Sequence, residues 1–129
     1  MYHGQIELER QGQLVICRPH GAFNMQGVRE YEKAFAGLVA PILSKPWAIV
    51  NVYVDFETGG PEVIERIRAQ YSWCVANGCR YIAFYTTGLL HNFFARETAK
   101  ELGLDGYEVF ESEALAIDWA RRSLSSLDQ

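Results

Sequence analysis

Apolar and polar positions change period along the chain, and each change marks an element. From Gln5 to Phe23 the alternation Ile6-Glu7-Leu8-Glu9, a Gln11-Gly12-Gln13 turn and the run Leu14-Val15-Ile16-Cys17 predict two strands paired as an antiparallel hairpin, closed by Pro19 and Gly21. Asn24 then caps a helix whose apolar positions Val28, Tyr31, Phe35, Leu38 and Ile42 step by three and four, and Pro41 or Ser44-Lys45-Pro46 stops it. The run Trp47 to Val54 is almost continuously apolar, the pattern of a strand covered on both faces, and Trp47 to Tyr53 is expected to be the central strand of a parallel sheet, with Val54 beginning the loop. Pro61 to Asn77 returns to helical spacing, with Asn77-Gly78 as its stop. Arg80 to Tyr85 predicts a strand, followed by the Thr86-Thr87-Gly88 turn and a helix bearing Leu90, Phe93, Phe94 and Leu102, closed by Gly103. Tyr107 to Phe110 predicts the last strand, and Ser112 caps a helix with Ala114, Leu115, Ile117, Trp119 and Leu124.

Written out, the order is ββαβαβαβα, which predicts one α/β domain over residues 1–129. Alternating strands and helices require mostly parallel pairing with right-handed crossovers, so the expected fold is a mostly parallel central sheet with an N-terminal antiparallel hairpin and four helices. Acidic and glycine-bearing residues after the central strand, Asp55-Phe56-Glu57-Thr58-Gly59-Gly60, end that strand and begin the next helix at Pro61.

Composition narrows the functional classes. With 129 residues, 49% of them hydrophobic, the chain has the size of one domain with one core. A net charge of -4 offers no basic footprint for nucleic acid. The longest apolar run is far short of the ~20 residues that cross a bilayer. Met1-Tyr2-His3-Gly4-Gln5 resembles neither a secretory signal nor a transit peptide, so a cytoplasmic location is expected. Cys17, Cys74 and Cys79 form no disulfide framework and read as small core residues; Cys17-Arg18-Pro19-His20 with the other two cysteines makes only a weak zinc pattern, and no metal or cofactor is expected. Neither a glycine-rich nucleotide loop nor a Gly-x-Ser-x-Gly elbow is present.

Three stretches carry a resemblance: Ile49-Val50-Asn51-Val52-Tyr53-Val54-Asp55-Phe56-Glu57, Tyr81-Ile82-Ala83-Phe84-Tyr85, and the ending Glu108 to Trp119 with its Glu-Ala and Ala-x-x-Trp pattern. In this order they resemble the STAS-like, SpoIIAA-like family of anti-sigma-factor antagonists, and the ending is similar to that of an uncharacterised subgroup. The resemblance implies a bacterial regulatory module that binds another protein through the loop after the central strand. In the antagonists that loop is Asp-Ser-Ser-Gly-like and carries a phosphorylated serine. Thr58 is the one hydroxyl at the corresponding place here, which makes it the candidate phosphoacceptor and also marks a departure from the family pattern.

The binding-loop candidates are Asp55, Phe56, Glu57, Thr58, Gly59, Gly60 and Glu62, with Thr86, Thr87 and His91 from the neighbouring loop. Short polar residues at such a place also cap a helix and shape a turn, and one residue can do both. Phe56, Tyr85, Phe93 and Phe94 are expected to cluster at one sheet edge and to line an apolar pocket, which supports the alternative of a carrier or sensor of a small amphiphilic ligand. An enzymatic reading would need His91 paired with Asp55 or Glu57; no catalytic residue is assigned. The edge strand and surplus aromatics also admit a homodimer.

Overall fold

The computed structural model describes residues 4–57, 59–101 and 106–127, with the backbone alone at Asp55, Leu89, Leu90 and His91. Strands β1 (Gln5–Gln11) and β2 (Leu14–Ala22) form the predicted hairpin, with Leu8 opposite Cys17 and Gln11 opposite Leu14. Gly12 turns between them at φ +62°, a left-handed conformation that glycine adopts without strain. Helix α1 (Met25–Val39) starts where Asn24 Oδ1 accepts from the Gly27 N–H at 2.9 Å, and it gives way to a short 3-10 turn, Ala40–Ile42, at Pro41. Both the start and the stop are the residues the sequence marks.

Strand β3 (Trp47–Tyr53) is buried along its whole length. It lies in the middle of the sheet order β1-β2-β3-β5-β6, parallel to β2 on one side and to β5 (Cys79–Thr86) on the other. Between them come β4 (Asp55–Glu57) and α2 (Pro61–Ala76); α3 (Leu89–Glu101), β6 (Tyr107–Phe110) and α4 (Glu113–Ser126) complete the chain. Ser112 caps α4 by accepting from the Leu115 N–H at 3.2 Å. The predicted Leu102 and Gly103 end of the third helix lies outside the described residues.

The sheet has two faces with different cover. On one face Val15, Cys17, Ile49, Tyr53, Ile82 and Phe84 pack beneath α1, α2 and the Phe94-Ala95 stretch of α3. On the other, Leu14, Ile16, Val50, Val52 and Ala83 pack beneath α4, which supplies Ala116 and Ala120. Small alanines allow α4 to sit close to the sheet, and the paired burial on both faces explains why β3 reads as continuously apolar.

Two predicted boundaries are corrected. The central strand ends at Tyr53 as expected, with Val54 44% exposed, but Asp55-Phe56-Glu57 is a strand where the sequence suggests a loop. Between Cys17 and His20 β2 advances three positions, while its partner advances four, from Asn51 to Asp55. The extra residue is a bulge that turns Val54 outward and restarts pairing with β2 as β4. Pro19 stands where the ladder passes from β3 to β4, so β2 continues through Pro19 and Gly21 to Ala22 instead of closing there.

Candidate functional site

The C-terminal ends of the parallel strands bring the two candidate segments to one edge. Tyr53 pairs with Thr86, so the chain leaving β3 and the chain leaving β5 start side by side. They then diverge. The bulge carries β4 toward β2, with Asp55 opposite His20 and Glu57 opposite Ala22, whereas Thr87 and Gly88 lead into α3.

Along the first segment, Phe56 is buried and Glu57 is exposed, as alternation along a strand requires. Gly59 has φ +76°, and a Cβ placed on it would come within 2.5 Å of the Phe23 carbonyl oxygen. Only glycine fits that turn. Gly60 opens α2 without a side-chain cap, Pro61 occupies the first turn, and the exposed carboxylate of Glu62 lies back beside Gly60, near the positive end of the helix. The result is an acidic projection: a strand held by β2, a glycine turn close against Phe23, and a helix start carrying exposed carboxylates. Thr58 and the Asp55 side chain lie outside the described residues.

Along the second segment, Thr86 is buried and Thr87 exposed. Thr86, Thr87, Gly88, Asn92, Arg96 and Glu111 line an open groove of about 480 Å³ between β5, α3 and β6, in which the Arg96 Nε donates to Asn92 Oδ1 at 2.9 Å. The His91 side chain, and with it the pairing of His91 with Asp55, lies outside the described residues.

The four aromatics proposed to share one pocket do not meet. Phe56 and Phe94 are buried in the core under α1 to α3, with ring centroids 5.0 and 6.2 Å from that of Tyr53. Tyr85 packs on the opposite face of the sheet, under α4, and Phe93 is 66% exposed. The physical reason is periodicity: Phe84 and Tyr85 point to opposite faces of a strand, and Phe93 and Phe94 differ by about 100° around a helix. Phe56 instead lines a small, partly open cavity together with Cys17, Tyr31, Asn51, Tyr53 and Tyr71. Sequence reasoning missed that cavity. Its signal was present, since Asn51 is the one amide in an otherwise apolar strand.

Cys17, Cys74 and Cys79 are buried free thiols, and among the described residues no group of three His, Cys, Asp or Glu could hold a metal ion. No helix among the described residues is long and apolar enough to cross a membrane.

No protein-family model and no curated protein matches the sequence. Solved structures do resemble it. An uncharacterised protein of the DUF3478 family with a SpoIIAA-like fold, from Shewanella loihica, aligns with a TM-score of 0.71 at 13% identity, over 93% of this chain and 95% of that one. An anti-sigma factor antagonist from Mycobacterium paratuberculosis aligns with a TM-score of 0.64 at 15% identity, over 92% and 95%. The chain has the SpoIIAA-like α/β fold that the sequence resemblance implies.

Proposed function

We propose that this chain is a non-catalytic regulatory module, cytoplasmic in location, that works by binding another protein through β4, the Gly59-Gly60 turn and the first turn of α2. The likeness to an anti-sigma factor antagonist supports a protein partner, and the acidic projection supports this place on the surface. Glu57 and Glu62 give it a negative face, so the partner would present basic side chains. Complementary charge of this kind acts chiefly on the rate of encounter and on specificity. Thr58, within the same segment, is the proposed phosphoacceptor: a phosphate there would add about two negative charges near the start of a helix.

The test is affinity capture with the chain and with a Glu57→Ala/Glu62→Ala variant, using Arg122→Ala as a control. Arg122 is paired with Asp118 on exposed α4, away from the projection. The expected result is a protein enriched by the parent and by the control and lost from the double variant. Equal recovery by all of them would remove the segment from the reading.

A further inference from the structure

Beneath the proposed docking segment lies a cavity of about 30 Å³ whose wall contains no Asp, Glu, Lys, Arg or His. Its polar groups are the hydroxyls of Tyr31, Tyr53 and Tyr71, the thiol of Cys17 and the amide of Asn51. The tyrosine hydroxyls of Tyr53 and Tyr71 are bonded to each other, and Tyr31 is bonded to Cys17. Asn51 is different. It is only 3% exposed, its position in β3 places it on the face of the sheet that holds the cavity, and its Nδ2 has no hydrogen-bond partner among the described residues. A buried amide donor without an acceptor is a costly thing to keep in a strand whose other side chains are aliphatic or aromatic.

We propose that this cavity is a binding site for the uncharged, hydrogen-bond-accepting end of a small organic molecule, a carbonyl in chemistry, which accepts from Asn51 Nδ2. A charged group is excluded, because the wall offers no countercharge and burial would strip its hydration. The site itself is neutral: burial pushes the Cys17 thiol up to about 12 and raises the hydroxyls of Tyr31, Tyr53 and Tyr71. The size limits what enters. A space of about 30 Å³ takes about two water-sized groups, so only the tip of the ligand lies inside. The remainder has a place to go, since an open groove of about 290 Å³ shares the walls Ile6, Phe23 and Tyr31 with the cavity.

Occupancy would reach the surface through Phe56. Its ring stacks on Tyr53 at 5.0 Å and meets Phe23 edge-on at 5.6 Å, and the carbonyl of Phe23 is the atom that Gly59 is pressed against. Phe56 is therefore both a wall of the cavity and a residue of the projection. That link to docking rests on the function proposed above; binding itself does not.

The probe is 2-hexanone, titrated into the isotopically labelled chain and followed by NMR. The expected result is saturable shifts of the Asn51 side-chain amide and of the Phe56 and Glu57 backbone amides, no such shifts with hexanoate, and at least tenfold weaker binding by Asn51→Leu. Titration of the unaltered chain needs no variant to fold. If the Asn51 amide does not move, or if a crystal structure soaked in 2-hexanone shows only water on Asn51, the site is overturned. Equal partner capture by the parent and by Glu57→Ala/Glu62→Ala, with ketone binding intact, would strike the docking reading and leave this one standing.

Discussion

Trp47 shows how one side chain ties local chemistry to the core. It is fully buried, its Nε1 donates to the Asn77 carbonyl at 2.9 Å, and it faces Gly78, which ends α2 at φ +102°. A bulky ring at the first position of the central strand thus also fixes the end of the helix that follows that strand. Trp47→Ala is expected to cost about 3–5 kcal/mol in urea unfolding, because a large cavity opens with no chain able to collapse into it. The cysteines are the opposite case, buried groups whose chemistry is suppressed. With burial holding Cys17 and Cys79 up near about 12, thiolate is scarce in the folded state at neutral pH. A disulfide reagent at pH 8 should therefore label them only as fast as the chain unfolds; rapid labelling under native conditions would contradict their burial.

Among the elements, β4 is the one whose behaviour depends most on a single residue. Gly59→Ala puts a Cβ at 2.5 Å from the Phe23 carbonyl and forces a left-handed conformation on alanine. The conformational part alone is about 1–2 kcal/mol, and the clash must be relieved by moving the turn. The expected outcome is a lower unfolding midpoint together with faster amide exchange in β4 and the first turn of α2, while β5 is unchanged; a uniform change across the sheet would argue against a local effect. The caps at Asn24 and Ser112, the helix stop at Asn77-Gly78 and the central place of β3 were legible because each depends on neighbours in sequence. β4 was not legible. It is three residues long, alternates too briefly to carry a period, and exists because the chain after β3 takes one extra residue and pairs again with β2, which is a property of two distant segments. The candidate site was read to the same extent: the position of the acidic, glycine-bearing segment at the C-terminal edge came from sequence, whereas the cavity under it depends on residues from β2, α1, β3, β4 and α2 meeting in space.

At the scale of the whole molecule, the two sheet faces divide the labour. On the α4 face Arg18 donates to Glu113 at 2.9 Å and to Glu9 at 3.1 Å, so that α4 is tied to the hairpin as well as to its own small core. The face under α1 and α2 concentrates the groups that must stay protonated. Cys17, Cys74 and Cys79 lie there with Tyr53 and Tyr71, and burial raises all of them above their ordinary ranges. In the unfolded chain thiols release their protons around 9.0, while in the folded chain Cys17 and Cys79 hold theirs to about 12. Above pH 9 the unfolded state therefore binds fewer protons than the native one, and stability falls as pH rises. The stabilising contribution is complete below pH 9 and is withdrawn across the interval up to about 12, by at most about 1.4 kcal/mol per thiol for each unit of pH. Urea midpoints measured under reducing conditions should be level from pH 7 to 8.5 and drop steeply by pH 10.5. In Cys17→Val/Cys79→Ala the drop should become shallower, whatever the variant's stability at pH 7. A midpoint that does not change across this range would mean that the thiols are solvated in the native state, and the core under α1 and α2 would then be open to water.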